Sequence, residues 1–122
     1  MLEVAIAAAL SNLVERPLPK LAAVLTDGHS TVIGYNSRKT HPLQLRFNPH
    51  NPKAVCLHAE MDSIRQAIRV HGIDLSDFKM YVARVHRDGT VACAKPCAGC
   101  QSAILAFNIK TVEWTEDYGR HQ

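Results

Sequence analysis

Residues 58–86 read HAEMDSIRQAIRVHGIDLSDFKMYVARVH, and this stretch sets the class of the fold. From Ala59 to His71 the apolar side chains Met61, Ile64, Ala67 and Ile68 recur at helical spacing, and Gly72 is a natural stop. From Lys79 to His86 the pattern turns into a strand carrying Tyr81, Val82 and Val85. A helix feeding a strand in this way is the unit of an α/β domain.

The flanking segments extend the alternation. Leu21 to Thr26 and Thr31 to Tyr35 predict a hairpin around Asp27-Gly28-His29-Ser30, where Gly28 supplies an easy positive φ. Upstream, Leu2 to Val14 is rich in Ala and Leu and predicts a mostly buried helix, ended by Arg16-Pro17-Leu18-Pro19. Asn36 to Lys53 reads as one long loop, and loops of that length inside a domain are often functional. Downstream come a turn at Arg87-Asp88-Gly89-Thr90, a short extended piece from Val91 to Lys95, a helix from Cys97 to Phe107 opened by Pro96, and a final strand from Asn108 to Thr115.

Composition narrows the class further. The 122 residues are read as a single domain, with 47% apolar and 20% charged residues, enough to bury a core. A repeat array and a disordered tail are excluded. The net charge of +3 is too mild to demand a nucleic-acid or membrane partner. The longest wholly apolar run, Val4 to Leu10, falls far short of the roughly 20 residues of a membrane helix. No Lys or Arg precedes Leu10, unlike a signal peptide, so a cytoplasmic location is expected.

In a reducing compartment a Cys-x-x-Cys pair is more often metal-binding or redox-active than a disulfide. Here the pair is Cys97 and Cys100, in Pro96-Cys97-Ala98-Gly99-Cys100 at a helix start. Three residues apart, the two sulfurs share one helix face, and the helix N-terminus favours their negative charge. His58-Ala59-Glu60 opens the other long helix, where His58 and Glu60 can address one point beyond the helix end. Alone, the cysteine pair has a bland reading as a redox motif, half of a structural zinc site or buried cysteines, and His-Ala-Glu by itself carries almost no signal. Together, in this order and at two helix starts, they point to a metal. One His and two Cys suit zinc and leave a fourth position for water, as in catalytic sites. Glu60 then stands ready as a proton carrier.

His58-Ala59-Glu60 followed by Pro96-Cys97-x-x-Cys100 resembles the signature of the zinc-dependent cytidine and deoxycytidylate deaminase superfamily, over roughly residues 20–115. The resemblance implies a three-layer α/β/α sandwich with a mixed sheet of four to five strands, and zinc (Zn2+) between two helix N-termini. It makes His58, Cys97 and Cys100 the zinc ligands and Glu60 the general acid/base. It implies hydrolytic deamination of a cytosine-containing nucleotide (a dCMP or CMP) to the uracil product, with release of ammonia. It also implies a homo-oligomer. Two other functions stand beside it. One is a deaminase of cytosine or adenine in single-stranded DNA or RNA. The other is a silent zinc-binding interaction protein, against which Glu60 argues, because zinc binding alone does not need that carboxylate.

Substrate contacts follow from the same resemblance and from charge. Asn36, in Gly34-Tyr35-Asn36, is similar to the asparagine that contacts sugar or base in the deoxycytidylate and tRNA-adenosine branches; Ala59 and Ala94 are positional candidates, Ala94 for the leaving amine. Between Gly28 and Ala59 there is no Asp or Glu, whereas Arg38, Lys39, Arg46 and Lys53 and the histidines 29, 41, 50 and 58 are present. An electropositive pocket mouth is expected, with Arg38, Lys39 and Arg46 as phosphate contacts and His41 or Phe47 able to stack on a base. The chain departs from its relatives at Val91 to Lys95, where a short Thr/Ser-x-Pro-Cys piece is usual. From Glu116 on, no more than a short hairpin through Tyr118 is expected. Cys56 and Cys93 read as small buried hydrophobes rather than as a second metal set.

Overall fold

The computed structural model describes residues 1–16, 18–39, 41–47 and 57–117. In chain order the elements are α1 (Leu2–Leu10), β1 (Lys20–Thr26), β2 (Thr31–Tyr35), α2 (Pro42–Phe47), α3 (Ala59–His71), β3 (Lys79–Val85), β4 (Val91–Ala92), α4 (Ala98–Ala106) and β5 (Thr111–Trp114). The class is α/β, as the helix–strand alternation requires. Lys53, His50, Cys56 and the Tyr118 hairpin lie outside the described residues.

The five strands make one mixed sheet. β1 is antiparallel to both β2 and β3, with Ala22 opposite Tyr35 on one side and Ala83 on the other. The far edge of β3 is shared: β5 runs parallel along residues 79–82, and β4 lies antiparallel against Arg84 and Val85. Thr115 joins the two short strands. Its Oγ1 accepts from the Arg84 N–H (3.2 Å) and donates to the Ala92 carbonyl (2.7 Å).

Side-chain alternation splits the core into two layers. Ala22, Val24, Ala83 and Val85 face α1 and meet its Ala5, Ala8 and Ala9. Ala23, Leu25, Met80 and Val82 face the other way, onto Met61, Ile64 and Ala67 of α3 and Ala103 and Ile104 of α4. Both faces of β1 and β3 are therefore covered, which is why their sequences read as nearly continuous apolar runs.

Two expectations need correction. The first helix stops at Leu10, not Val14, and only its alanine face is buried; Val4 and Leu10 are exposed. Ser11 and Asn12 end it because their short polar side chains compete for backbone groups. Ser11 Oγ donates to the Ala8 carbonyl (2.8 Å), and Asn12 Nδ2 donates to the Leu21 carbonyl (2.9 Å). The segment expected as one long loop contains α2. Its start is capped by His41, whose Nδ1 accepts from the Leu43 N–H (3.1 Å). Phe47 at its end packs edge-on against Phe107 (6.0 Å between ring centroids), so it is a core anchor.

α3 lies against β2 at Gly34. A Cβ built there would sit inside van der Waals distance of the Ala59 carbonyl oxygen and the Ser63 nitrogen, and 2.9 Å from Ser63 Cα. All three are helix backbone and cannot step aside singly. Two side chains of α3 complete the seam. Asp62 Oδ2 accepts from the Tyr35 N–H (2.9 Å), and Gln66 Nε2 donates to the Ile33 carbonyl (3.0 Å), so the outer edge of β2 is satisfied by the helix. Gly34→Ala is expected to cost about 1–3 kcal/mol, the usual range for overpacking. Urea unfolding measures it, and a midpoint equal to wild type would show that α3 is free to retreat.

Candidate metal centre and substrate cavity

His58 and Cys97 are the N-cap residues of α3 and α4, both with extended backbone. Extended φ/ψ at a cap turns the side chain off the helix and over its end. Cys100, one turn into α4, is fully buried beneath them. His58 Nδ1 stands 3.3 Å from Cys100 Sγ and 3.6 Å from Cys97 Sγ. The three donor atoms all lie within 4.8 Å of one another. A tetrahedral zinc ion with ordinary bond lengths, roughly 2.0 Å to nitrogen and 2.3 Å to sulfur, holds such atoms about 3.6 Å apart. The donor set and its spacing fit zinc.

Three further contacts hold the imidazole's platform. Gln44 of α2, fully buried, accepts the His58 N–H on Oε1 (2.9 Å). Ser37 and Leu57 exchange backbone hydrogen bonds (3.0 Å each), and Leu57 N–H also reaches the Lys39 carbonyl (2.9 Å). At α4, Gln101 Nε2 returns to the Pro96 carbonyl (2.8 Å).

The electrostatics suit a cation. Hydrogen bonds from Cys100 and then His58 lower the Cys97 thiol to about 3, so it is a thiolate. The hydrogen bond that Cys100 gives to Cys97, with burial added, pushes its thiol far up. The hydrogen bond to Cys97 raises the His58 imidazole. Glu60 is only 4% exposed, and burial raises its carboxyl above the usual carboxylate range against the pull of its backbone hydrogen bond and of His58. A metal needs both sulfurs and the imidazole deprotonated.

His58, Glu60 and Cys97 open onto a cavity of about 270 Å³. Leu21, Leu57, Ala59 and Ala94 give it apolar walls, and Asn36, Arg84, Cys93 and Lys95 also line it. Cys93 is half-buried at this wall rather than a core residue, a correction to its expected role. Asn36 is largely committed to the scaffold. Its Oδ1 accepts from Asn12 Nδ2 (2.8 Å) and the Leu21 N–H (3.1 Å), and its Nδ2 donates to the Pro19 carbonyl (2.7 Å).

The basic residues expected at the pocket are elsewhere. Arg38 donates to the Arg16 carbonyl (2.5 Å) and, with Lys39, lines a separate depression of about 700 Å³ between residues 11–15 and 35–39. The Arg46 guanidinium lies over its neighbour Phe47, 5.2 Å from the ring centroid. None of the three lines the metal-centre cavity. Sequence reasoning missed Gln44, Asn12 and Arg84. Arg84 alone left a signal: a charge in an apolar strand, in phase with the inward Met80 and Val82.

With this geometry in view, the comparisons agree. Residues 1–116 match the family model for the cytidine and deoxycytidylate deaminase zinc-binding region, and the chain belongs to that family. Its fold is that of the solved dCMP deaminase from the cyanophage S-TIM5 (TM-score 0.63, 16% identity, 97% of this chain and 81% of that one). It is also that of the cytidine deaminase from Burkholderia pseudomallei (TM-score 0.62, 17% identity, 98% and 87%). Guanine deaminase from Bacillus subtilis is similar too (TM-score 0.60, 20% identity, 94% and 61%). No curated protein sequence matches the chain. Among the described residues no helix is long and apolar enough to cross a membrane.

Cys97→Ser should abolish stoichiometric zinc by elemental analysis and lower the melting temperature, because metal affinity adds to folding stability. Zinc uptake by the metal-free chain near neutral pH should release protons, from Cys100 above all and in part from His58, since both are raised. Affinity should therefore tighten as pH rises. Titration calorimetry in buffers of different ionisation enthalpy reads the release directly.

Proposed function

We propose that the chain is a zinc-dependent hydrolytic deaminase of a cytosine-containing mononucleotide, converting it with water to the uracil nucleotide and ammonia. The observation that carries this reading is a buried carboxylate, Glu60, two residues from a metal-ligating imidazole and facing a small apolar-walled cavity. A metal site that only stabilised the fold would have no use for a carboxylate there.

The residues divide the work. His58, Cys97 and Cys100 would hold the zinc ion. When bound, zinc supplies Lewis acidity and brings the pKa of water toward about 7. Glu60 accepts the proton that water gives up as its oxygen bonds to the amino-bearing ring carbon, and passes that proton to the adjacent ring nitrogen. It then carries the second proton of the water to the amino group, the carbon–nitrogen bond breaks, and ammonia leaves. The carboxylate is regenerated, so water and cytosine account for all atoms of uracil and ammonia. A carboxyl raised by burial is well suited to hold a proton in transit.

Leu21, Leu57, Ala59 and Ala94 offer flat apolar contact for a pyrimidine ring and keep bulk water away. Asn36 lines the cavity, and its Nδ2, which gives one proton to the Pro19 carbonyl, carries a second for a sugar or base acceptor. The size of the cavity favours a mononucleotide over a polynucleotide. Self-association of the chain, read by light scattering, belongs to the same proposal.

Glu60→Gln should keep its zinc and lose about 10²–10⁴-fold in kcat, the usual weight of a general acid/base. Ammonia release from dCMP, deoxycytidine and cytosine is the measurement. Activity equal to wild type in that variant would remove Glu60 from the mechanism.

A further inference from the structure

Resting on that reading, we propose that Arg84 is the residue that selects a phosphorylated substrate, its guanidinium gripping the phosphate of the nucleotide inside the metal-centre cavity.

Arg84 stands on β3, which lies between β1 and the β4/β5 edge. Its backbone is pinned on both sides, opposite Leu21 and Ala92, and its N–H is held by Thr115 Oγ1 (3.2 Å). Alternation along the strand sends its side chain to the face of Met80 and Val82, toward α3, and there it lines the same cavity as His58 and Glu60. A guanidinium on this face replaces an apolar side chain at the point where the core gives way to the cavity.

The side chain has no protein partner among the described residues, and its Nε is fully shielded from solvent with no hydrogen bond. The residue as a whole is half-buried, and a donor shielded from water and left unpaired is costly, so proteins rarely keep one without a use. The acceptor that completes it is therefore sought in the cavity. The planar fork of arginine matches phosphate oxygens in pairs. Lys95, exposed at the rim of the same cavity, adds a second positive charge, and Glu60, already assigned to proton transfer, is the one carboxylate among the described lining residues. The other arginine and lysine candidates are turned to the Arg16 carbonyl, to a neighbouring depression or onto Phe47. A volume of about 270 Å³ has room for one nucleotide, which points to a mononucleotide phosphate rather than a polymer backbone.

The test measures product binding by calorimetry on the zinc-loaded full chain, so that turnover is not needed. The ligands are deoxyuridine monophosphate, deoxyuridine, inorganic phosphate and an oligodeoxyuridine without terminal phosphate. Wild type should bind the monophosphate about tenfold or more tighter than the nucleoside. Arg84→Met, which keeps the apolar stem, should erase that preference, and Arg84→Lys should restore part of it. Zinc content reports that both variants are folded. Arg38→Ala should keep the wild-type preference. Equal loss for nucleoside and monophosphate in Arg84→Met would mean that Arg84 reads the base, and would overturn the proposal. So would an unaltered preference, or tighter binding of the oligonucleotide than of the monophosphate. If inorganic phosphate binds in an Arg84-dependent way while neither nucleoside nor nucleotide is taken, the anion site stands and the cytosine reading falls.

Discussion

The backbone of α3 and the backbone of β2 touch at Gly34, and the position of the metal centre depends on that contact. A side chain at residue 34 would force apart the helix whose first residues follow the His58 ligand. Because the contact is backbone on backbone, it sets the helix height over the sheet to within a fraction of an ångström. Asp62 and Gln66 then fix the helix along the strand by binding the edge groups of Tyr35 and Ile33. His58 inherits this placement. Its distance to the two sulfurs of α4 is therefore a consequence of how α3 packs on β2.

The second helix N-terminus is delivered by a different route. β4 and β5 share one edge of β3, and Thr115 ties their junction to both Arg84 and Ala92. The Ala94 N–H is held by the Thr115 carbonyl (2.9 Å), so the approach to Pro96 and Cys97 is set by the sheet. α2 closes the remaining side, with Gln44 on the His58 backbone and Phe47 on Phe107 just past α4. Two helix ends with their positive dipoles converge on one point, where two sulfurs and a carboxylate bring negative charge. A divalent cation resolves the competition that otherwise leaves Cys97 ionised and Cys100 protonated.

Much of this is legible along the chain. The helix from Ala59 to His71 and the strand ending at Val85 follow from local periodicity, and Gly72 ends the helix with a φ of 82° as a glycine readily does. The strand expected at Asn108 to Thr115 is shorter because Asn108 takes a positive φ of 66° to close the preceding helix. α2 was illegible for a physical reason. Six residues carry too little helical preference to stand alone, and its stability comes from Leu43 and Gln44 buried against distant parts of the chain.

What the sequence determined by itself is the chemistry: an imidazole and two thiols at metal-ligand spacing, a carboxylate two residues from the imidazole, and helix starts beneath them. These are matters of residue type and short separation, which a chain carries whether folded or not. What only the tertiary structure decided is who shares the cavity. Arg38 and Arg46 are drawn to other partners and Lys39 lines a separate depression, while Arg84, from a strand read only as core, lines the metal-centre cavity. The reason is that a side chain's neighbours are set by strand register and layer packing, in which residues tens of positions apart meet, and local pattern holds no record of those meetings.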